Sequence, residues 1–408
     1  MPEWTQEQQK AIDSRNGTVL VSAAAGSGKT AVLVERVIRR LMDKEKPCTA
    51  DRLLIVTFTR AATQQMRERI SQAINEELRK NPSDEHLKRQ LVMLPFAKIS
   101  TIDSFCNDIV KENFHELDIS PDYKMLEGAQ LKLVEAEAMS RTLDGFYKEN
   151  SEEFNELVNI LASGTDDSAV GALVSKLYNY SMAFPRPSEF LDSLTDNYES
   201  ENTLTKDVWG GIIFSYACGV VAKCLCAIGQ VKHSFADDGT VAEKYSDCFS
   251  EMEATLNGIM ELIDNKKWNE TLCALRMIKF PALGRLPKGY ASPVADFAKK
   301  QKKTITDELT RKLPKYFCST EEEYADDMAY LHPIVIKLIE IIRRYSEILW
   351  EEKQKLNSVD FSDITHLALR LLVSYDAQGN PVRTKLSEEL SQKFDEILVD
   401  EFQDINEL

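Results

Sequence analysis

Two short stretches hold the residue types that handle phosphate. "SAAAGSGKT", Ser22 to Thr30, follows the apolar run "TVLV" and precedes a helical pattern. A phosphate chain needs several backbone N–H groups converging on it, and a loop built from Ala25, Gly26, Ser27 and Gly28 lets the main chain come close and turn tightly. Lys29 would neutralise the outer phosphates and the Thr30 hydroxyl would ligate magnesium. The first glycine of the P-loop pattern is replaced by Ala23. "VDEFQD", Val399 to Asp404, is the natural second half of such a site. Asp400 would hold the same magnesium and Glu401 would polarise the water that attacks the γ-phosphate. Alone, two adjacent acids after an apolar run are an ordinary solvated strand end. Paired with the phosphate loop they predict a site for ATP and Mg2+.

These groups need a scaffold, and the flanking pattern supplies one. From Thr18 to about Cys106 short β-branched runs alternate with amphipathic stretches: "TVLVS", a helix from Lys29, "RLLIVTF", a helix to about Lys80, "AKIST" and a further helix. Such alternation predicts an α/β fold with a parallel sheet and crossover helices. From about Glu127 to Lys355 helical periodicity takes over, as at Ile334, Leu338, Ile341, Tyr345 and Ile348, before "FDEILVDEF" restores a strand. The expected organisation is therefore a first α/β part over 1–126, a helical insertion over 127–355 and a return to the sheet over 356–408.

At 408 residues and 43% hydrophobic the chain can bury a sizeable core. A net charge of −16 argues against a uniformly basic nucleic-acid coat and leaves room for a local basic patch. Eight cysteines without a paired framework and the polar start "MPEWTQEQQK" point to free thiols and a cytoplasmic protein. The apolar stretch from Gly210 to Val231 is interrupted by Lys223 and reads as a buried core helix, not a membrane span.

Five stretches, in order, resemble the early motifs of superfamily 1 DNA helicases of the UvrD, Rep and RecB type: "WTQEQQKAI", "AAAGSGKT", "TFTRAATQQMRERI", "ISTIDSFC" and "ILVDEFQD". The helical middle and "VDFSDITHLAL", Val359 to Leu369, are most similar to A subunits of AddAB (RexAB) helicase-nucleases. The resemblance implies a RecA-like ATP-binding domain with a 1B-like insertion and an ATP-dependent DNA helicase acting in double-strand break repair and recombination. It implies single- and double-stranded DNA as partners and, for a longer exonuclease-bearing parent, a nuclease subunit of the AddB (RexB) type. A helicase of the UvrD type without nuclease, and a short non-catalytic DNA-binding module with a nucleotide switch, are the alternatives.

The same resemblance assigns roles. Gln8 would hydrogen-bond the adenine edge, where its residues alone read as a polar helix start. Phe58, Thr59 and Arg60 in "TFTR" would touch single-stranded DNA, as would Thr101, Ser104 and Phe105 in "STIDSF". On residues alone, "TFTR" reads equally as a strand end with a helix cap. Asp103 stands where many relatives carry histidine, Gln65 replaces the usual acid, and Gln403 resembles the glutamine that senses the γ-phosphate.

Composition adds one patch. Arg276 to Tyr316 concentrates lysines, among them Lys299, Lys300, Lys302 and Lys303, with Phe280, Tyr290 and Phe297 between them. Two readings are open, a DNA track and a solvated helical face. In the resembled family the pattern continues past "DEFQD" into a second RecA-like domain with arginine fingers. The chain is accordingly expected to be an N-terminal portion with an incomplete sheet and negligible ATP turnover by itself.

The phosphate-loop reading predicts that Mg-ATP binds the chain and that Lys29→Ala lowers its affinity. Calorimetric titration checks it, and equal affinities for the two proteins would remove the assignment.

Overall fold

"LLIVT", Leu53–Thr57, is buried at every position, as expected of a strand with neighbours on both edges. Lys98–Thr101 pairs with it on one side and Glu396–Val399 on the other, all parallel, with Ile55 opposite both Ile99 and Leu398. Asp395 donates its N–H to Arg52 O at 2.8 Å and Asp400 donates to Val56 O at 2.9 Å, so the register of the third strand is fixed at both ends. The structure, a computed structural model, describes residues 4–15, 17–24, 26–43, 48–162, 168–196, 198, 204 and 208–404.

One expected strand does not form. Thr18–Ser22 has no ladder partner among the described residues, and Leu20 is 76% exposed. An apolar run becomes a strand only beside a paired edge. The outer edge of Glu396–Val399 carries no described neighbour, and its Ile397 is 59% exposed.

Helices Lys29–Leu41 and Arg60–Lys80 follow their expected starts. Val37, Ile38 and Leu41 of the first, and Met66, Ile70 and Ile74 of the second, pack with Leu53, Ile55 and Ile99 into one core. A second core joins Ile109 and Val110 of helix Ile102–Glu112 to Ile364, Leu367 and Leu371 of helix Phe361–Leu372.

The chain divides into two compact units, 1–148 with 171–188 and 342–408, and 149–170 with 189–341. Residues 127–148, 171–188 and 342–355, expected in the insertion, thus pack within the first unit. Local contacts account for this: Arg141 pairs with Glu351 and Glu352, and Tyr178 meets Tyr345 edge-on at 5.2 Å.

The return into the first unit is pinned by a buried charge cluster. Lys353 is 1% exposed, and its ammonium donates to Asp360 Oδ2 at 2.6 Å and Asp363 Oδ2 at 2.8 Å. Asp360 and Asp363 also cap each other's backbone at the start of helix Phe361–Leu372. One cation against two carboxylates leaves excess negative charge, and burial pushes the Asp363 carboxyl upward with Lys353 offsetting part of the shift. Burial works to lower the lysine, but the two carboxylates outweigh it and hold its ammonium above the usual value.

The second unit is helical. Val208–Ser234 buries Phe214, Ala217, Val221, Cys224, Ile228 and Val231 at intervals of three and four, and packs along Gly239–Asp264. Only one face is buried: Trp209, Ile212 and Tyr216 on this helix are exposed, so the expected core helix is two-sided. It is also long and apolar enough to cross a membrane by length and composition. All eight cysteines are free, and burial pushes the Cys48 thiol up to about 12.

Lys353→Ala leaves two facing carboxylates without their cation, which destabilises by about 3–5 kcal/mol near neutral pH. Asp363, whose carboxyl burial already raises, then loses the cation that offsets part of the shift, so the folded protein takes up a proton as pH falls. The deficit relative to wild type is expected to shrink from neutral pH towards mildly acidic pH, as read by urea unfolding. A deficit independent of pH would contradict the account.

Candidate nucleotide and DNA site

Helix Lys29–Leu41 begins differently from its neighbours. Thr5, Thr59, Thr101 and Asp360 cap their helices with side-chain oxygens, whereas Gly28 offers none. The first-turn amides therefore keep donors for an anion at the positive end of the helix dipole. Gly26 and Gly28 have φ of +78° and +82°, a conformation that L side chains rarely adopt. Lys29 Nζ donates to Ala23 O at 3.0 Å and Ala24 O at 3.4 Å. Gln8 caps its own helix through Oε1 while its Nε2 donates to Ser27 O at 3.1 Å. The expected adenine-side residue thus touches the phosphate loop directly. Ala25 lies outside the described residues.

The acids sit where the third strand ends. Burial and the adjacent Glu401 raise the Asp400 carboxyl, with Lys29 and Arg69 pulling the other way. Glu401 has φ of +54°, an uncommon conformation for a residue with a β-carbon, and its N–H donates to Asp400 Oδ1 at 3.2 Å. The Gln403 amide donates to the Glu401 carboxylate.

A carboxylate at the other end of this strand ties it to the phosphate-loop helix. Glu396 accepts from Arg36 Nε at 2.5 Å and Arg40 Nε at 3.2 Å, all three side chains being about 14% exposed or less. Arg36 also donates to Ala11 O at 2.6 Å, and Arg39 to Asp13 Oδ1 at 2.9 Å. One row of arginines joins the Gln8 helix, the Lys29 helix and the strand of Asp400. Sequence reasoning missed it, although the spacing of arginines at 36, 39 and 40 marks a single helix face.

Among the described residues no group of three or more His, Cys, Asp or Glu is placed to hold a metal. The expected ligands Thr30 and Asp400 are hard oxygen donors of the kind that Mg2+ takes, with waters and phosphate oxygens completing its shell.

A cavity of about 430 Å³ adjoins these acids, lined by Phe58, Asp103, Asn179, Phe361, Asp400 and Glu401 among others. Phe58 is 61% exposed. The other expected DNA contacts are more occupied. The Thr59 and Thr101 hydroxyls accept from Ala62 and Ser104 N–H groups as helix caps, Thr101 and Ser104 share a hydrogen bond of 2.9 Å, and Phe105 packs on Phe394 with ring centroids 6.3 Å apart. Arg60 is exposed at the first position of its helix.

In the second unit Lys299, Lys302 and Lys303 line a cavity of about 570 Å³ together with Arg311, which the sequence reading did not single out, and Asp307. Lys300 is not among its lining residues. The Lys302 ammonium donates to Pro281 O, and Lys299 lies 3.5 Å from Asp296. The interleaved aromatics turn elsewhere: Phe280 and Phe297 pack against the core, and Tyr290 donates to Asp238.

The model of the UvrD/REP helicase N-terminal domain matches residues 4–408. The chain belongs to the UvrD/REP helicases. Within them it is 32% identical over 409 residues to the A subunit of an ATP-dependent helicase/nuclease from Acetivibrio thermocellus, covering 99% of this chain and 33% of that protein. The corresponding A subunits from Lachnoclostridium phytofermentans and Oceanobacillus iheyensis are 33% and 31% identical over 432 and 419 residues, covering 99% and 100% of this chain and 30% and 33% of theirs. This UvrD/REP helicase chain spans about a third of the length of the curated relatives it matches.

Glu396→Ala leaves two largely buried guanidinium groups without their shared acceptor. It is expected to destabilise on the order of 3 kcal/mol and to weaken Mg-ATP binding, whereas Asp13→Ala, at a half-exposed pair, costs under about 1 kcal/mol. Denaturant unfolding and nucleotide titration of both variants check the difference; equal effects would remove Glu396 from its positioning role.

Proposed function

We propose that the chain is the ATP- and DNA-binding N-terminal part of a helicase-nuclease A subunit that processes double-strand breaks in the cytoplasm. The observation that carries this reading is the shared wall of the site: Glu401 lines the same cavity as Phe58, so the acid of the nucleotide motif and the aromatic of the DNA motif meet one space. ATP supplies the free energy. Gln8 faces the adenine, the uncapped loop and Lys29 take the phosphates, Thr30 and Asp400 hold Mg2+, Glu401 orients the attacking water, and Gln403 senses the γ-phosphate. Single-stranded DNA crosses at Phe58, Thr59 and Arg60 and at Thr101, Ser104 and Phe105. The sheet is the core of a RecA-like domain and the all-α segment is its insertion. A nuclease subunit is the partner of the whole protein.

Two measurements bear on it. Mg-ATP and a labelled single strand should both bind, with Lys29→Ala weakening only the nucleotide; binding of neither would refute the reading. Duplex affinity should fall steeply with salt. Neutralising Lys299, Lys300, Lys302 and Lys303 together is expected to flatten the log–log slope by up to about four. An unchanged slope would return this segment to a solvated face.

A further inference from the structure

Helix Trp268–Met277 of the second unit carries Asn269, Cys273 and Arg276 at intervals of four and three, so the three share one face. Both ends of this row hold the same passing segment. Arg276 Nη2 donates to Cys318 O at 2.7 Å. At the other end Asn269 Oδ1 accepts from the Glu321 N–H at 2.9 Å, while its Nδ2 donates to the Glu322 carboxylate. Trp268 Nε1 adds a third tie, to Ser319 O at 2.9 Å. Seven helical residues rise about 10 Å and three extended ones reach about 10 Å, so the tethered segment lies along the row and runs opposite to the helix. Cys273 stands between the tethers. Met277 Sδ lies 3.9 Å from its Sγ, at the end of the helix where Arg276 holds Cys318. Both cysteines are exposed.

We infer that Cys273 and Cys318 form a reversible clasp, a dithiol that closes to a disulfide by exchange with a small oxidised disulfide such as glutathione disulfide. One protein thiolate attacks the small disulfide, expelling one small thiol and leaving a mixed disulfide. The second protein thiolate attacks the protein sulfur of that bond and expels the other small thiol. The protein thus gives up two electrons and two protons, and the small disulfide takes them up as two thiols. The tethers supply what the second step needs, since they hold the two backbones side by side before any bond forms and favour closure over a lasting mixed disulfide. The closed clasp encircles the chain from Cys273 to Cys318, which contains Lys299, Lys302, Lys303 and Arg311. Oxidation therefore braces the basic segment by restricting its unfolded chain.

The test equilibrates the whole chain with reduced and oxidised glutathione, quenches with acid, alkylates the remaining thiols and maps peptides by mass spectrometry without reduction. A disulfide between Cys273 and Cys318 is expected as the main crosslink, with a rise of about 4 °C or more in the thermal midpoint that a reducing agent reverses. Cys273→Ser and Cys318→Ser should each abolish the bond and the rise. Cys226→Ser, at another exposed thiol, should leave both in place. Lasting glutathione adducts on Cys273 and Cys318, a crosslink between two copies of the chain, or thiols that stay free in the most oxidising mixture overturn the inference. A mapped disulfide with an unchanged midpoint overturns the bracing role.

Discussion

The candidate nucleotide site depends on one carboxylate shared by two arginines. Glu396 begins the strand that ends in Asp400, and it accepts from Arg36 and Arg40 on the helix that starts with Lys29. That strand has a described neighbour on only one edge, so its ladder to Leu53–Thr57 fixes its height in the sheet while the arginines hold it against the helix. Arg36 carries the link onward to Ala11 and hence to the helix of Gln8. Three parts of the candidate site lie far apart in the chain and meet through Arg36, Arg40 and Glu396. Small displacements of catalytic groups are costly in rate, which gives such a junction its importance.

The glycine loop and the acid pair stood out as candidates because each is a local pattern. Glycines at 26 and 28 and adjacent acids at 400 and 401 state their chemistry within a few residues. Helices announced themselves through spacing and, at Thr59, through a cap. What stayed hidden was contact between distant residues: the Arg36–Glu396 pair, the Lys353–Asp360–Asp363 cluster, and the arrival of Phe361 and Asn179 at the cavity of Phe58. The strand expected at Thr18–Ser22 failed for a related reason, since an apolar run says that a segment suits a sheet and not that an edge awaits it. The aromatics between the lysines misled likewise, because composition does not tell which way Phe280 and Phe297 face.

The two cavities divide the electrostatic work. In the first unit the lining brings three carboxylates and two phenylalanines together with Thr57, Ser362 and Thr365. In the second unit three lysines and an arginine line the space with a single aspartate, a local surplus of positive charge. No aromatic stands in the second lining, whereas two stand in the first. A chain with a net charge of −16 achieves this by local concentration, not by overall balance.

Among the described residues the strand Glu396–Val399 has an unpaired edge, which bears on how the chain would behave in concentrated solution. Ile397 on that strand and Leu20 on the unpaired Thr18–Ser22 segment are both exposed, and a bare strand edge with apolar side chains is a template for another copy of the chain. Mutual repulsion between molecules of charge −16 opposes such pairing at low ionic strength. Salt shortens the range of that repulsion to about 10 Å at 0.1 M. Colloidal stability is therefore tied to ionic strength through a sheet edge, and the purified chain will be most monodisperse in dilute buffer.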